Sequence, residues 1–146
     1  MNSGFSSIGL VRPKDKHNIG GVLRAARCYN SALVVAQGAR TKIKVSTDTT
    51  HASRHMPVIR GEDLFDHIPY GAEPVAVDLV PGAISLVDFK HPSAAFYIFG
   101  PEDGTLGKSI TDRCAHKIMV PTEFCMNLAA TVNVVLYDRM AKEIRK

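Results

Sequence analysis

No stretch of the 146 residues approaches the roughly 20 consecutive apolar residues that a membrane-spanning helix needs. The opening "MNSGFSSIGLVRPKDK" has no long apolar segment behind a basic start, so no signal peptide is expected. Cysteine is scarce. Cys28, Cys114 and Cys125 are odd in number, widely spaced and form no CxxC pair. That argues against a zinc site or redox motif, and for reduced thiols in a cytoplasmic protein without metal. Cys28 and Cys114 are expected as small core residues. Internal repeats, low-complexity segments and linkers are also missing, so residues 1–146 read as one domain. Acid is missing from the N-terminal part. Residues 1–60 hold ten Lys and Arg against Asp15 and Asp48, a local +8, while residues 61–146 hold eight against twelve acids, a local −4. Within 40–60, Arg40, Lys42, Lys44, Arg54 and Arg60 stand with His51 and His55 against Asp48 alone. Such asymmetry points to a polyanion partner held by the N-terminal half.

A phosphate-binding loop is also lacking, although "YIFGPEDGTLGKSI" (97–110) ends in Gly-Lys-Ser. The P-loop requires a glycine five positions before the Gly of Gly-Lys. That position is Glu102, whose charge would repel a phosphate. Gly100 and Gly104 stand at the wrong offsets.

What is there is an alternation of short apolar runs and longer mixed segments. Residues 7–11, 32–37, 74–80, 94–100 and 116–121 read as strands, with 58–59 as a short further one. Most are continuously apolar, as in parallel strands buried on both faces. Helices are expected at 18–30, with Asn18 suited to capping, and at 126–144. Shorter ones are expected near 47–55, 62–67 and 107–114. The βαβ pattern argues for an open, mostly parallel α/β sheet flanked by helices. Ligands of such sheets sit at the carboxyl ends of strands. Three turns qualify: "PKDKHNIGG", "GPEDGTLG" and "VPTEFCMN". Gly20 and Gly21, early in a helix, point to close approach of backbone or ligand.

These turns resemble the three motifs of the SpoU/TrmH branch of the SPOUT RNA methyltransferases. The first, Asn-Ile-Gly then Arg, is present as Asn18, Gly20 and Arg24. The second, Gly-x-Glu-x-Gly-Leu, is present as Gly100, Glu102, Gly104 and Leu106. The third, usually Ser-Leu-Asn or Ser-Met-Asn opening the last helix, is present as "CMNLAATVNVV", with Cys125 for its first serine and Ala129 for its last. Together they span residues 18 to about 140 in the family's order.

The resemblance implies a C-terminal trefoil knot, S-adenosylmethionine as cofactor, a homodimer, and methyl transfer to a ribose 2′-hydroxyl of tRNA or rRNA. It resembles the minimal members that act on the tRNA wobble nucleotide. The cofactor would be held by Val77, Asp78, Phe99, Gly100, Gly104, Val120, Met126 and Leu128. Arg24, Asn18, Glu102, Asn127 and Cys125 would serve catalysis. Arg12, Arg24, Arg40, Lys42, Lys44 and Arg54 would hold RNA. The bare glycines 100 and 104 would let backbone pass close to the cofactor, and Glu102 suits a sulfonium cation better than a phosphate.

Bland roles stand beside these. Glu102 could only stabilise a helix start, and Asn18 and Asn127 could only be caps. His17 could be a base or merely exposed. Arg24 could be the general base, but a guanidinium stays protonated in proteins. Clamping a phosphate and stabilising developing alkoxide charge suits it better. A thiol donates a poorer hydrogen bond than the serine it replaces. A catalytically silent RNA-binding module is therefore the alternative, with base or protein methylation a third reading. The helix at 126–144 is apolar on more sides than one sheet can cover, which points to a second subunit.

Overall fold

The computed structural model describes residues 4–43 and 56–144. The helix expected near 47–55, with Lys44, His51, Arg54 and His55, lies outside them. Among the described residues seven strands form one sheet: β1 (Phe5–Val11), β2 (Val34–Gln37), β3 (Val58–Gly61), β4 (Glu73–Val77), β5 (Ile84–Ser85), β6 (Ala94–Phe99) and β7 (His116–Met119). Their order is β3-β2-β1-β6-β4-β7-β5, and every pairing is parallel. The described α-helices beside them are α1 (Lys16–Cys28), the short α2 (Lys108–Thr111) and α3 (Leu128–Ile144). Leu64–His67, expected as a helix, is a single 3-10 turn. No described helix is long and apolar enough to cross a membrane.

Side chains alternate across the sheet and fill two layers. Ile8, Leu10, Val75, Val77, Tyr97 and Phe99 pack under α1 (Val22, Ala25, Ala26) and α3 (Leu128, Val132, Val135, Leu136). Ala76, Phe96 and Ile98 point the other way, with Leu64, Leu106 and Ile110 over them. Both faces being covered explains why the strands read as unbroken apolar runs. On the second face Gly9 makes room for the Phe96 ring, whose Cε2 would lie 2.7 Å from any β-carbon there.

Helix α1 starts earlier than the sequence indicates. Asp15, not Asn18, is its cap, accepting from the N–H groups of His17 (2.8 Å) and Asn18 (3.2 Å). Those two bonds hold the Asp15 carboxyl below its usual range. Capping from outside frees the Asn18 side chain. The helix closes at Tyr29, and Asn30 takes the left-handed conformation at φ 56° while the Ser31 N–H reaches back to Ala26 O. Cys28 is exposed rather than in the core, because its place on the last turn of α1 faces away from the sheet. Cys114 is half-buried, and burial pushes its thiol up to about 11.

Helix α3 is tied to the far end of the sheet by a polar network. His91 Nε2 meets Asp138 Oδ2 at 2.7 Å and His91 Nδ1 meets the Tyr97 hydroxyl at 2.7 Å. Arg139 donates to that hydroxyl and to the carbonyls of Phe5, Pro92 and Ser93. Lys142 donates to the carbonyls of Leu86 and Phe89 and pairs with Asp138.

Candidate functional site

Strands β6, β4 and β7 are neighbours, so their carboxyl ends open side by side. The chain after each is a turn, and the three turns enclose a cavity of about 530 Å³. That size lies within the usual range of ligand pockets, about 300–1,000 Å³. Its walls are Val77, Asp78 and Leu79 after β4, Phe99 to Glu102 and Gly104 after β6, and Met119 to Leu128 after β7, except Pro121. Asn18 and Thr131 complete it from α1 and α3.

The sequence-derived residues therefore divide in two. Val77, Asp78, Phe99, Gly100, Gly104, Val120, Met126 and Leu128 share this cavity with Asn18, Glu102, Cys125 and Asn127. Arg24 does not line it. Arg24 is exposed on α1, and its side chain makes no hydrogen bond or ion pair with the described residues. His17 is exposed and also absent from the wall.

Hydrogen bonds fix the turns. Asp78 Oδ2 accepts from Leu106 N–H at 3.0 Å and its Oδ1 from Leu79 N–H at 2.8 Å, so one carboxylate stitches the β4 and β6 turns together. Glu102 accepts from the backbone N–H groups of Lys14 (3.2 Å) and Asp15 (3.1 Å), which belong to the turn after β1. Asn127 Oδ1 accepts from Ala130 N–H at 2.8 Å and so caps α3. Cys125 makes no side-chain hydrogen bond with the described residues. Gly100 owes its bareness to the protein itself, since a β-carbon there would lie 3.3 Å from Leu106 N. At Gly104 the nearest atom would be Pro101 Cγ at 3.5 Å, an ordinary contact.

Seven lining residues were not assigned to the site from the sequence: Leu79, Pro101, Met119, Thr122, Glu123, Phe124 and Thr131. Phe124 is 83% and Leu79 77% exposed, both at the rim of the cavity. Apart from Met119, which ends β7, and Thr131, which is on α3, the seven lie in loops that directly follow a strand end.

The basic residues described near the first turn behave differently from one another. Arg12 is exposed and holds φ 51°, a left-handed conformation rare outside glycine. Lys42 is exposed. Arg40 is engaged within the protein. It donates from Nε (3.1 Å) and Nη2 (2.7 Å) to the Arg12 carbonyl, and from Nη1 (3.1 Å) and Nη2 (2.8 Å) to the two oxygens of Asp103. The Arg40 guanidinium, with Lys14 beside it, holds the Asp103 carboxyl far below the usual carboxylate range.

Among the described residues, none of the lining side chains is a lysine, arginine or histidine, whereas Asp78, Glu102 and Glu123 are carboxylates. Such a wall disfavours phosphate groups. Apolar side chains with carboxylates suit a neutral ring system carrying a cation.

An open parallel sheet with a pocket built from the turns of its middle strands, and a last helix laid against the first, defines the knotted α/β fold of the methyltransferases. The chain belongs to the SpoU rRNA Methylase family, whose model matches residues 6–137. It is similar to the SpoU methyltransferase AviRb from Streptomyces viridochromogenes in complex with AdoMet (TM-score 0.85, 18% identity, 100% of this chain and 63% of that one). It is also similar to the A. aeolicus TrmH/SpoU tRNA modifying enzyme (TM-score 0.82, 15% identity, 99% and 78%). A third similar structure concerns the 2-OH methylation of C/U34 on tRNA (TM-score 0.78, 19% identity, 98% and 99%). The chain spans 60% of AviRb and 57% of an rRNA methyltransferase from Sinorhizobium meliloti. A search of curated proteins by sequence gave no significant match.

Proposed function

We propose that the chain is an S-adenosylmethionine-dependent RNA methyltransferase acting on a ribose 2′-hydroxyl, with tRNA as the favoured substrate and residues 1–146 forming one catalytic domain. The observation that carries this is the composition of the cavity. Twelve of the thirteen residues assigned to cofactor or catalysis from the sequence meet in its wall, which among the described residues has carboxylates but no cation. Family membership and the similarity to a C/U34 tRNA 2-OH methylation structure over 99% of its length support the same reading.

Val77, Phe99, Val120 and Leu128 would hold the cofactor's apolar surface, and Asp78 fixes the two turns between which it would lie. The cofactor supplies a methyl group activated on a sulfonium. Asn127 keeps the start of α3 against the cavity and Asn18 faces it from α1. Glu102 holds the turn that leads into α1. Arg24 would sit outside the cofactor site, clamp an RNA phosphate and stabilise charge on the attacking oxygen. Aligning the two reactants would supply a large part of the rate, of order 7–11 kcal/mol in well-aligned systems.

The working form would be a homodimer in the cytoplasm. The outer side of α3 exposes Val134, Tyr137, Met140 and Ile144. Beside it lies a groove of about 420 Å³ whose walls include Leu86, Val87, Val120, Pro121, Val134 and Tyr137. An apolar surface of this kind commonly marks an interface. Arg24 of one copy would then serve RNA at the cavity of the other.

Incubation with S-adenosylmethionine carrying a labelled methyl and bulk tRNA, followed by nucleoside mass spectrometry, tests the reading. Label in 2′-O-methyl nucleosides is expected. Label in a base would favour the base-methylating reading, and cofactor-independent RNA binding without transfer the silent module.

A further inference from the structure

The two acids that follow Pro101, Glu102 in the cavity wall and Asp103 outside it, both engage the turn after β1 or the arginine that holds it. Glu102 takes the N–H groups of Lys14 and Asp15. Asp103 takes the fork of Arg40 on both oxygens and pairs with Lys14 Nζ at 3.4 Å. Arg40 in turn holds the Arg12 carbonyl, and its own N–H donates to Pro13 O at 2.8 Å. Thus residues 12–15 are gripped from both sides by two short segments distant in sequence. Asp15 is the cap of α1, the helix that carries Asn18 and Arg24.

The arrangement is more elaborate than stability requires. The ion-paired side chains of Arg40 and Asp103 are 30% and 43% exposed, and exposed pairs contribute little to stability. It also coexists with an unfavourable backbone at Arg12, at φ 51°; such strain persists only where surroundings over-determine it. A bidentate fork gives geometric definition that a point charge does not. Four donations from the Arg40 guanidinium, of its five N–H groups, are spent inside the protein, which leaves little for a phosphate.

We propose that Arg40 and Asp103 are positioning residues, which clasp the turn 12–15 to the cofactor turn 100–104 and so set α1, with Asn18 facing the cofactor cavity and Arg24 presented outward to the RNA. This rests on the function proposed above. Arg40 is then a geometric element rather than an RNA contact.

Asp103→Asn, Arg40→Gln and Arg40→Lys test it, with methyl transfer, cofactor calorimetry and amide exchange measured on each. In Asp103→Asn and Arg40→Gln kcat is expected to fall about tenfold to a hundredfold, as misplacement of a reacting group does. The KM for RNA and the cofactor Kd are expected to stay within about twofold. Arg40→Lys keeps the charge but not the fork, and is expected to behave as Arg40→Gln. Exchange at the Lys14 and Asp15 amides is expected to quicken in all three. A raised KM with normal kcat, or full activity in Arg40→Lys, would make Arg40 a phosphate contact and overturn the proposal. Unchanged exchange at Lys14 and Asp15 would overturn it too, and that readout needs neither cofactor nor RNA. A wild type that exchanges as expected but transfers no methyl would sink the functional reading while leaving the clasp in place.

Discussion

Gly21 on α1 faces Ala129 on α3 so closely that a β-carbon at Gly21 would lie 2.7 Å from that of Ala129. Neither atom belongs to a flexible side chain, so the two helices would have to separate to admit it. Gly20, one residue earlier, has no neighbour within 4 Å of such a carbon. Gly21→Ala is therefore expected to destabilise by about 1–3 kcal/mol through overpacking. Gly20→Ala is expected to stabilise by about 0.5–1 kcal/mol through helix propensity. Urea denaturation of the two variants side by side checks the contrast, and equal shifts would refute it.

Arg24→Ala is expected to abolish methyl transfer and leave S-adenosylmethionine affinity near normal, because Arg24 lies outside the cavity wall. Calorimetry and a labelled-methyl assay on the same preparation decide it. Full activity would remove Arg24 from the mechanism, and lost cofactor binding would place it in the pocket.

The His91 network predicts an acid-side loss of stability. Burial lowers the His91 pKa from 6.5, opposed by Asp138 and reinforced by Lys142 and Arg139. The Tyr97 hydroxyl, raised by burial to about 12, stays neutral throughout. Neutral His91 can donate to Asp138 and accept from Tyr97, whose oxygen accepts from Arg139; a protonated ring loses the acceptor. A histidine depressed in the folded state favours folding above about pH 6.5, and that contribution is lost as pH falls through the folded pKa. Stability of the wild type is expected to decline faster below pH 6.5 than that of His91→Gln. Parallel curves from denaturant titrations between neutral and mildly acid pH would exclude the network as the cause. Arg139→Ala, which strands several carbonyls at once, is expected to cost about 2–4 kcal/mol at any pH.

Val134→Glu places a charge on the outer side of α3, where Val134 is 37% and Tyr137 56% exposed. A monomer lacking methyl transfer but retaining its fold is the expected result, read by light scattering, circular dichroism and the labelled-methyl assay. An active monomer would disprove the dimer.

The sheet and the cavity were readable because they rest on short-range signals. Continuous apolar runs mark β1, β4 and β6, and the glycines and acids after them mark the turns. β5 was missed because two residues, Ile84 and Ser85, carry no periodicity. The cap of α1 was misplaced by three residues because both Asp15 and Asn18 are good caps, and only backbone geometry chooses between them. The partners of Glu102 were unreadable in principle. They are main-chain N–H groups 87 and 88 residues away, brought near by strand order and not by any side-chain pattern.

Strand order has a further cost in time. β1 pairs on one side with β2 and on the other with β6, where Phe5 lies opposite Ala94, 89 residues later (94 minus 5). At roughly 5–20 residues per second of synthesis, the ribosome needs about 4–18 s to deliver that partner. Until then one edge of β1, a strand with six of its seven residues buried in the finished fold, is without its neighbour, and β4 must wait for the same central strand. The nascent chain thus carries a period of vulnerability to misassociation and chaperone capture that a protein built from consecutive hairpins would escape.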